Sequence, residues 1–171
     1  RGRGEDNNEM VLGHTGNAYI PLTITHRNDM ATCKVECALG SGTGSLVKVE
    51  GLPCILTNNH VLRSIEESCG TKARFEDIIG GVVVVALAPG KLFATCAKLD
   101  FTVVALEEQP CRTYDAKPFE YLEIKSHPVP AGATLSIVQH PRGGEKKRSS
   151  GSVVKISDCG KFVLYNLDTD Y

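Results

Sequence analysis

Two side chains in this 171-residue sequence stand where they could move protons, His60 and Asp100. His60 closes the run Cys54-Ile55-Leu56-Thr57-Asn58-Asn59-His60, in which a short apolar strand delivers a polar turn and then the imidazole. A histidine held at a strand end by a rigid turn is well placed for proton transfer. Read alone, it is better taken as a surface histidine after a turn. Upstream, glycines 40, 42 and 44 let the backbone take tight or positive-φ conformations as a strand enters the sheet. Forty positions after His60, Asp100 opens the stretch Leu99-Asp100-Phe101-Thr102-Val103-Val104-Ala105-Leu106, an acid followed at once by an apolar strand. An aspartate before a strand is usually a turn residue. Set behind an imidazole, such an acid would accept the Nδ1–H, fix the tautomer and stabilise the imidazolium. Asp77 and Asp115 suit that role less, because neither feeds a buried strand.

The string Gly-x-Gly followed by Ile-Leu-Thr-Asn-Asn-His-Val resembles the histidine motif of HtrA-like, trypsin-type serine proteases, with Thr57-Asn58-Asn59-His60-Val61 matching at every position. Asp100 has a setting similar to that family's triad aspartate, and the likeness runs from about residue 40 to residue 171. It implies an all-β chymotrypsin/trypsin-like fold of two six-stranded barrels, the second incomplete in this chain. It also implies an active site in the crevice between the barrels, with His60 as general base and Asp100 as orienting acid of a serine endopeptidase that acts through an acyl-enzyme. No cofactor is implied, and the expected partner is a protein or peptide substrate.

The family's nucleophile lies in a Gly-x-Ser-Gly turn whose backbone N–H groups also form the oxyanion hole. The look-alike here is Arg148-Ser149-Ser150-Gly151-Ser152-Val153. Ser150 follows Asp100 by only 50 residues, and 21 remain after it, too few to complete a second barrel and wall a specificity pocket. Moreover, Val138-Gln139-His140-Pro141-Arg142-Gly143 leading to Ser150-Gly151-Ser152-Val153-Val154 resembles a hairpin that precedes the nucleophile in the family, so this Ser-Gly is read as structural. The last residues, Asp168-Thr169-Asp170-Tyr171, resemble the step that runs into the nucleophile turn. The serine is therefore expected just after Tyr171 and the chain alone is predicted inactive. The C-terminal remainder of the same protease domain becomes a candidate partner. A processed piece, a deliberate shortening and a truncated gene product all fit such an end, and a self-cut after Tyr171 would indicate a chymotrypsin-like preference. The alternative function is a catalytically dead pseudoprotease serving as a binding or scaffold module. A third reading, a non-proteolytic β-sandwich adaptor, requires the match at both residues to be accidental.

The elements that must hold these residues are short and rich in Val, Ile, Thr and Phe, bounded by Gly, Pro, Asn or Asp. Strands are expected at Ala18–Thr25, Cys33–Ala38, Gly44–Val49, Cys54–Thr57, Gly81–Leu87, Leu92–Ala97 and Phe101–Leu106, then at Thr134–Gln139, Ser152–Ile156 and Phe162–Asn166. The one helical candidate is Asn59–Ser68. This gives an N-terminal extension over 1–17, a first barrel over 18–107 carrying His60 and Asp100, an inter-barrel crossover over 108–130 and a partial second barrel over 131–171. The crossover and the first 39 residues match no family pattern.

A hydrophobic fraction of 42 %, a charged fraction of 23 % and a net charge of −1 are those of an ordinary globular chain and give no reason to expect nucleic acid or an anionic membrane as partner. The longest apolar stretch, Val82 to Ala88, is far short of the roughly 18 residues that span a bilayer. The basic cluster Lys146-Lys147-Arg148 reads as a solvated loop. The polar opening without an initiator Met is expected of a chain cut from a longer polypeptide. Seven cysteines at irregular spacing fit no zinc signature and read mostly as buried or half-buried thiols of an intracellular protein, cytoplasmic or nuclear. His14, His26, His127 and His140 share no metal-ligand spacing with carboxylates, and no Lys follows the glycine run where a phosphate loop needs one.

Overall fold

The computed structural model describes residues 20–21, 27–77, 79–125 and 129–167. The expected extension over 1–17, most of the expected strand Ala18–Thr25, His14, His26, His127 and residues 168–171 lie outside them. The described strands in chain order are β1 (Ile20–Pro21), β2 (Thr32–Cys37), β3 (Gly40–Val49), β4 (Leu52–Thr57), β5 (Lys72–Glu76), β6 (Val82–Ala86), β7 (Phe93–Cys96), β8 (Phe101–Ala105), β9 (Thr134–Gln139), β10 (Lys147–Ile156) and β11 (Val163–Tyr165). Helices α1 (Arg27–Ala31) and α2 (Ile65–Ser68) are one-turn pieces.

Seven strands form one antiparallel sheet in the order β6-β5-β2-β3-β4-β8-β7. The chain beyond β6 then meets the end of β8. Leu87 bridges Leu106, Ala88 donates to the Ala105 carbonyl at 2.7 Å and Glu107 to that of Ala86 at 3.0 Å, so the sheet closes on itself. Val35, Leu46, Ile55, Ala73, Phe75, Val85 and Val104 fill the interior, each 3 % exposed or less. Closure joins the ends of β6 and β8, and β7, which pairs with β8 alone among the described strands, keeps one edge. β5 is a strand the sequence reading passed over, although Ala73 and Phe75 point inward while Lys72, Arg74 and Glu76 alternate outward. Its charged residues mask a period-two pattern only five residues long.

The expected helix Asn59–Ser68 is reduced to Ile65–Ser68. The Asn58 carbonyl accepts from the amides of both Val61 and Leu62 at 3.2 Å, which closes a turn, and Leu62 then drops into the core. A new helix starts only after Ser64, whose hydroxyl accepts from the Glu67 amide.

Residues 107–125 lie against the first barrel. Phe119 is buried and stacks on Phe75 with ring centroids 5.4 Å apart, and the Leu122 amide donates to the Leu46 carbonyl. The Asp77 carboxylate fastens this segment, accepting from the amides of Ile79, Gly81 and Thr113 and from the Thr113 hydroxyl.

The second sheet has four strands. β10 pairs with β9 from Lys147↔Gln139 to Ser152↔Thr134, and with β11 across a register shift between Val153 and Lys155. β1 joins this sheet at Ile20↔Arg148 and Pro21↔Lys147. Among the described residues the sheet does not close. The molecule is thus nearly all β, as expected, with a closed first barrel and a second barrel that is incomplete.

The basic cluster is not a solvated loop. Lys146 is 5 % exposed and its ammonium donates to the Asp29 carbonyl at 2.9 Å, while Arg148 pairs with the fully buried Asp29 carboxylate at 2.5 Å. The cluster enters β10 and ties it to α1. The sequence hid this because the acidic partner lies more than a hundred residues upstream.

Candidate functional site

Strand register brings the histidine and the aspartate together. β4 and β8 run antiparallel with Thr57 opposite Thr102. His60 lies three residues past Thr57 and Asp100 two residues before Thr102, so both leave the sheet at the same end. His60 Nδ1 and Asp100 Oδ2 are 2.7 Å apart. The His60 amide donates to Asp100 Oδ1 at 3.0 Å, and Asn58 Nδ2 reaches both Oδ2 and the main-chain carbonyl of Asp100 at 3.1 and 3.2 Å. Asp100 itself follows a 3₁₀ turn at Ala97–Leu99 and takes the left-handed conformation, φ 48° and ψ 50°. Among non-glycine residues, Asp and Asn visit that region most readily.

The histidine turn has further anchors. Thr57 Oγ1 donates to the Thr43 carbonyl, Asn59 Nδ2 donates to Thr95 Oγ1, and the buried Thr102 hydroxyl donates to the Leu62 carbonyl. Gly42 contributes space. A Cβ there would stand 2.6 Å from a methyl of Val61, the residue after the histidine, so the turn can settle on β3 only because position 42 has no side chain. Of the three glycines expected to take tight or positive-φ conformations, Gly40 has a positive φ of 153°, whereas Gly42 and Gly44 do not and serve close approach instead.

The pair opens into a cleft of about 680 Å³ lined from both units, with Asn58, His60 and Asp100 on one wall and Ile137, His140 and Tyr165 on the other. His60 keeps 42 % of its side chain exposed while Asp100 keeps 18 %. A proton on Nδ1 directed at Oδ2 leaves the Nε2 lone pair as the basic position of the ring. Chemically, the arrangement can draw a proton from a hydroxyl and hold the resulting imidazolium against a fixed carboxylate.

Ser150 takes no part in the cleft. Its hydroxyl is 2.7 Å from that of Ser136 on the neighbouring strand. A Cβ at Gly151 would stand 2.7 Å from Asn166 Oδ1 and 2.8 Å from Leu167 Cδ2, so the Ser-Gly step is where β10 lets the chain after β11 approach. Ser152 completes that contact by donating its amide to Asn166 Oδ1 at 2.6 Å. Asp77 is engaged in the crossover and Asp115 pairs with Arg112, both away from the imidazole. Asp168 and Asp170 lie outside the described residues.

The two units are pinned together beside the cleft by the amide of the buried His140, which donates to Thr43 Oγ1 at 2.9 Å. Burial is the main cause holding the His140 imidazole below its ordinary value, and the nearby Lys146 and Lys34 add to it. Burial likewise lowers Lys146, and it pushes the Cys33 thiol up to about 12. All seven cysteines are free thiols. Cys33 and Cys54 are buried and Cys37 and Cys96 half-buried, so most are shielded as expected, while Cys69, Cys111 and Cys159 are exposed. Among the described residues no helix is long and apolar enough to cross a membrane.

The site residue that sequence reasoning missed is Asn58. It was read as one letter of a motif, whereas its amide is the side-chain group that touches the aspartate besides the imidazole.

A family model for the trypsin-like peptidase domain matches residues 42–170. The fold is similar to that of Deg5, with a TM-score of 0.62 and 17 % identity over 84 % of this chain and 71 % of that one. It is also similar to the inactive form of the Rv3671c protease, with a TM-score of 0.52 and 15 % identity over 84 % of this chain and 68 % of that one. At such identities the likeness is one of fold. No curated protein sequence matches.

Proposed function

The chain belongs to the trypsin-like peptidase domain family, its histidine motif being of the HtrA-like kind, and from that premise we propose that it carries the general base and the orienting acid of a serine endopeptidase. The observation that carries the reading is the 2.7 Å contact between His60 Nδ1 and Asp100 Oδ2 at the mouth of the cleft. In the reaction, a serine Oγ gives its proton to His60 Nε2 as it attacks the peptide carbonyl. The imidazolium keeps its Nδ1–H on Asp100 and returns the other proton to the leaving amine. Water then repeats the sequence on the acyl-enzyme.

The nucleophile in this reading follows Tyr171 and brings the oxyanion hole with it, so the chain by itself is inactive. Ser150 supports this by its bond to Ser136 and its place outside the cleft. The substrate is a protein or peptide, and the remainder of the domain is the first partner. The free thiols are those of a reducing, intracellular compartment.

The test extends the polypeptide past Tyr171 and exposes it to a fluorophosphonate probe. We expect one labelled serine in a Gly-x-Ser-Gly turn, labelling abolished by His60→Ala, and a fall in kcat of about 10⁴-fold for Asp100→Asn. A reading frame without that serine, or labelling indifferent to His60→Ala, makes the chain a pseudoprotease module instead.

A further inference from the structure

The geometry points to Asn58 as a positioning residue: its side-chain amide holds the Asp100 carboxylate in the orientation that the His60 ring requires. The inference rests on the protease reading above and deepens it at the same site.

Asp100 needs outside support for three reasons. Its backbone is left-handed, φ 48°, so its side chain leaves the chain in a direction that the flanking strand does not dictate. It stands at the junction between a 3₁₀ turn and β8, one residue before the strand begins, and has no ladder partner of its own. Finally, an ionised carboxylate accepts through two oxygens and swings about its terminal torsion, which is broad, unless both are held. Here Oδ1 accepts the His60 amide and Oδ2 accepts Asn58 Nδ2, leaving one lone-pair direction of Oδ2 for the imidazole N–H.

Asn58 is itself held. It is the first residue past β4, its carbonyl accepts two amides of the histidine turn, and its Nδ2 spans the carboxylate and the main-chain carbonyl of Asp100. One amide therefore fixes both where the aspartate's backbone lies and which way its carboxylate faces. Aspartate in place of Asn58 keeps the volume and loses the donor. Two carboxylates would then share one contact and compete for one proton.

The experiment reads the low-field Nδ1–H proton resonance of His60 in the 171-residue chain, with the melting temperature as control. Asn58→Ala and Asn58→Asp are expected to broaden or lose that resonance while melting close to wild type. Ser64→Ala, which removes the cap of α2, should lower the melting temperature and leave the resonance in place. In the extended enzyme, Asn58→Ala should lower kcat about tenfold with KM unchanged, the effect of losing one hydrogen bond to a charged group. A resonance unmoved in both Asn58 variants overturns the inference and leaves the protease reading intact. Unfolding of both variants makes Asn58 a scaffold residue and also overturns it. A wild-type chain with no such resonance removes the His60–Asp100 pairing, and both readings fall with it.

Discussion

The two sheets that flank the cleft solve the problem of burial differently. The first closes around Leu46, Ile55, Phe75 and Val104, and the polar groups that carry the site are each hydrogen-bonded within it. The second buries only Val153 and Leu167 among its apolar residues, leaves Val154 and Val163 exposed, and holds His140 Nε2, Arg148 Nε and Ser149 Oγ buried without a partner among the described residues. Buried polar atoms that lack partners cost about 1–3 kcal/mol each. The first barrel thus presents its half of the site unaided, whereas the second depends on α1 and on Thr43 of β3 for its seat.

That asymmetry is open to attack from several directions. Phe75→Ala empties the middle of the closed barrel and removes the stack on Phe119. It should cost about 3–5 kcal/mol, read as a fall in the denaturant midpoint with the site resonance lost at the same concentration. Cutting the link between units is milder. Asp29→Ala leaves the Arg148 guanidinium without its carboxylate, and Arg148 is 31 % exposed, so about 2 kcal/mol is expected. Hydrogen exchange should place the loss in β9 and β10 and leave β4 and β8 protected. An equal loss of protection in both sheets would mean that the first barrel does not stand alone.

Acid should separate the two units with the smallest effect. His140 is a base whose folded pKa is depressed by burial, so the unfolded chain takes the proton first. Stability is then full above the ordinary histidine value of about 6.5 and declines as pH falls toward the folded value. Asp77 behaves as a paired carboxylate. Its burial would raise its pKa, but the hydrogen bonds from Thr113, Gly81 and Ile79 outweigh that and hold it below the ordinary range. Its contribution is present above the unfolded value of about 3.9 and is lost only below it. Exchange of β9 and β10 amides should therefore quicken in mild acid, before the Asp77 crossover loosens, and His140→Gln should flatten the first change while Asp77→Asn flattens the second.

Much of the site was legible because it is local. Cys54-Ile55-Leu56 ahead of Thr57-Asn58-Asn59-His60, and Asp100 ahead of Phe101-Thr102-Val103-Val104, each carry their strand and their functional group in a single stretch. What was not legible depends on groups distant in sequence. Lys146 and Arg148 look solvated until Asp29 is brought to them, and β5 looks like a charged loop until Phe75 meets Phe119. The clamp at Asn58 belongs to the same class. A polar residue in a turn discloses nothing of its donor until the left-handed backbone at Asp100 turns two acceptors toward it.

Four residue pairs along β4 and β8 set the spacing between base and acid. The 39 residues between them build β5, β6 and β7 before the chain returns to β8. Lengthening the exposed turn at Gly90, where the space around the glycine is open, would cost little more than the entropy of a larger loop, about 0.6 kcal/mol for each doubling. Tags or reporter peptides should therefore be accepted at that turn with the proton-transfer pair undisturbed.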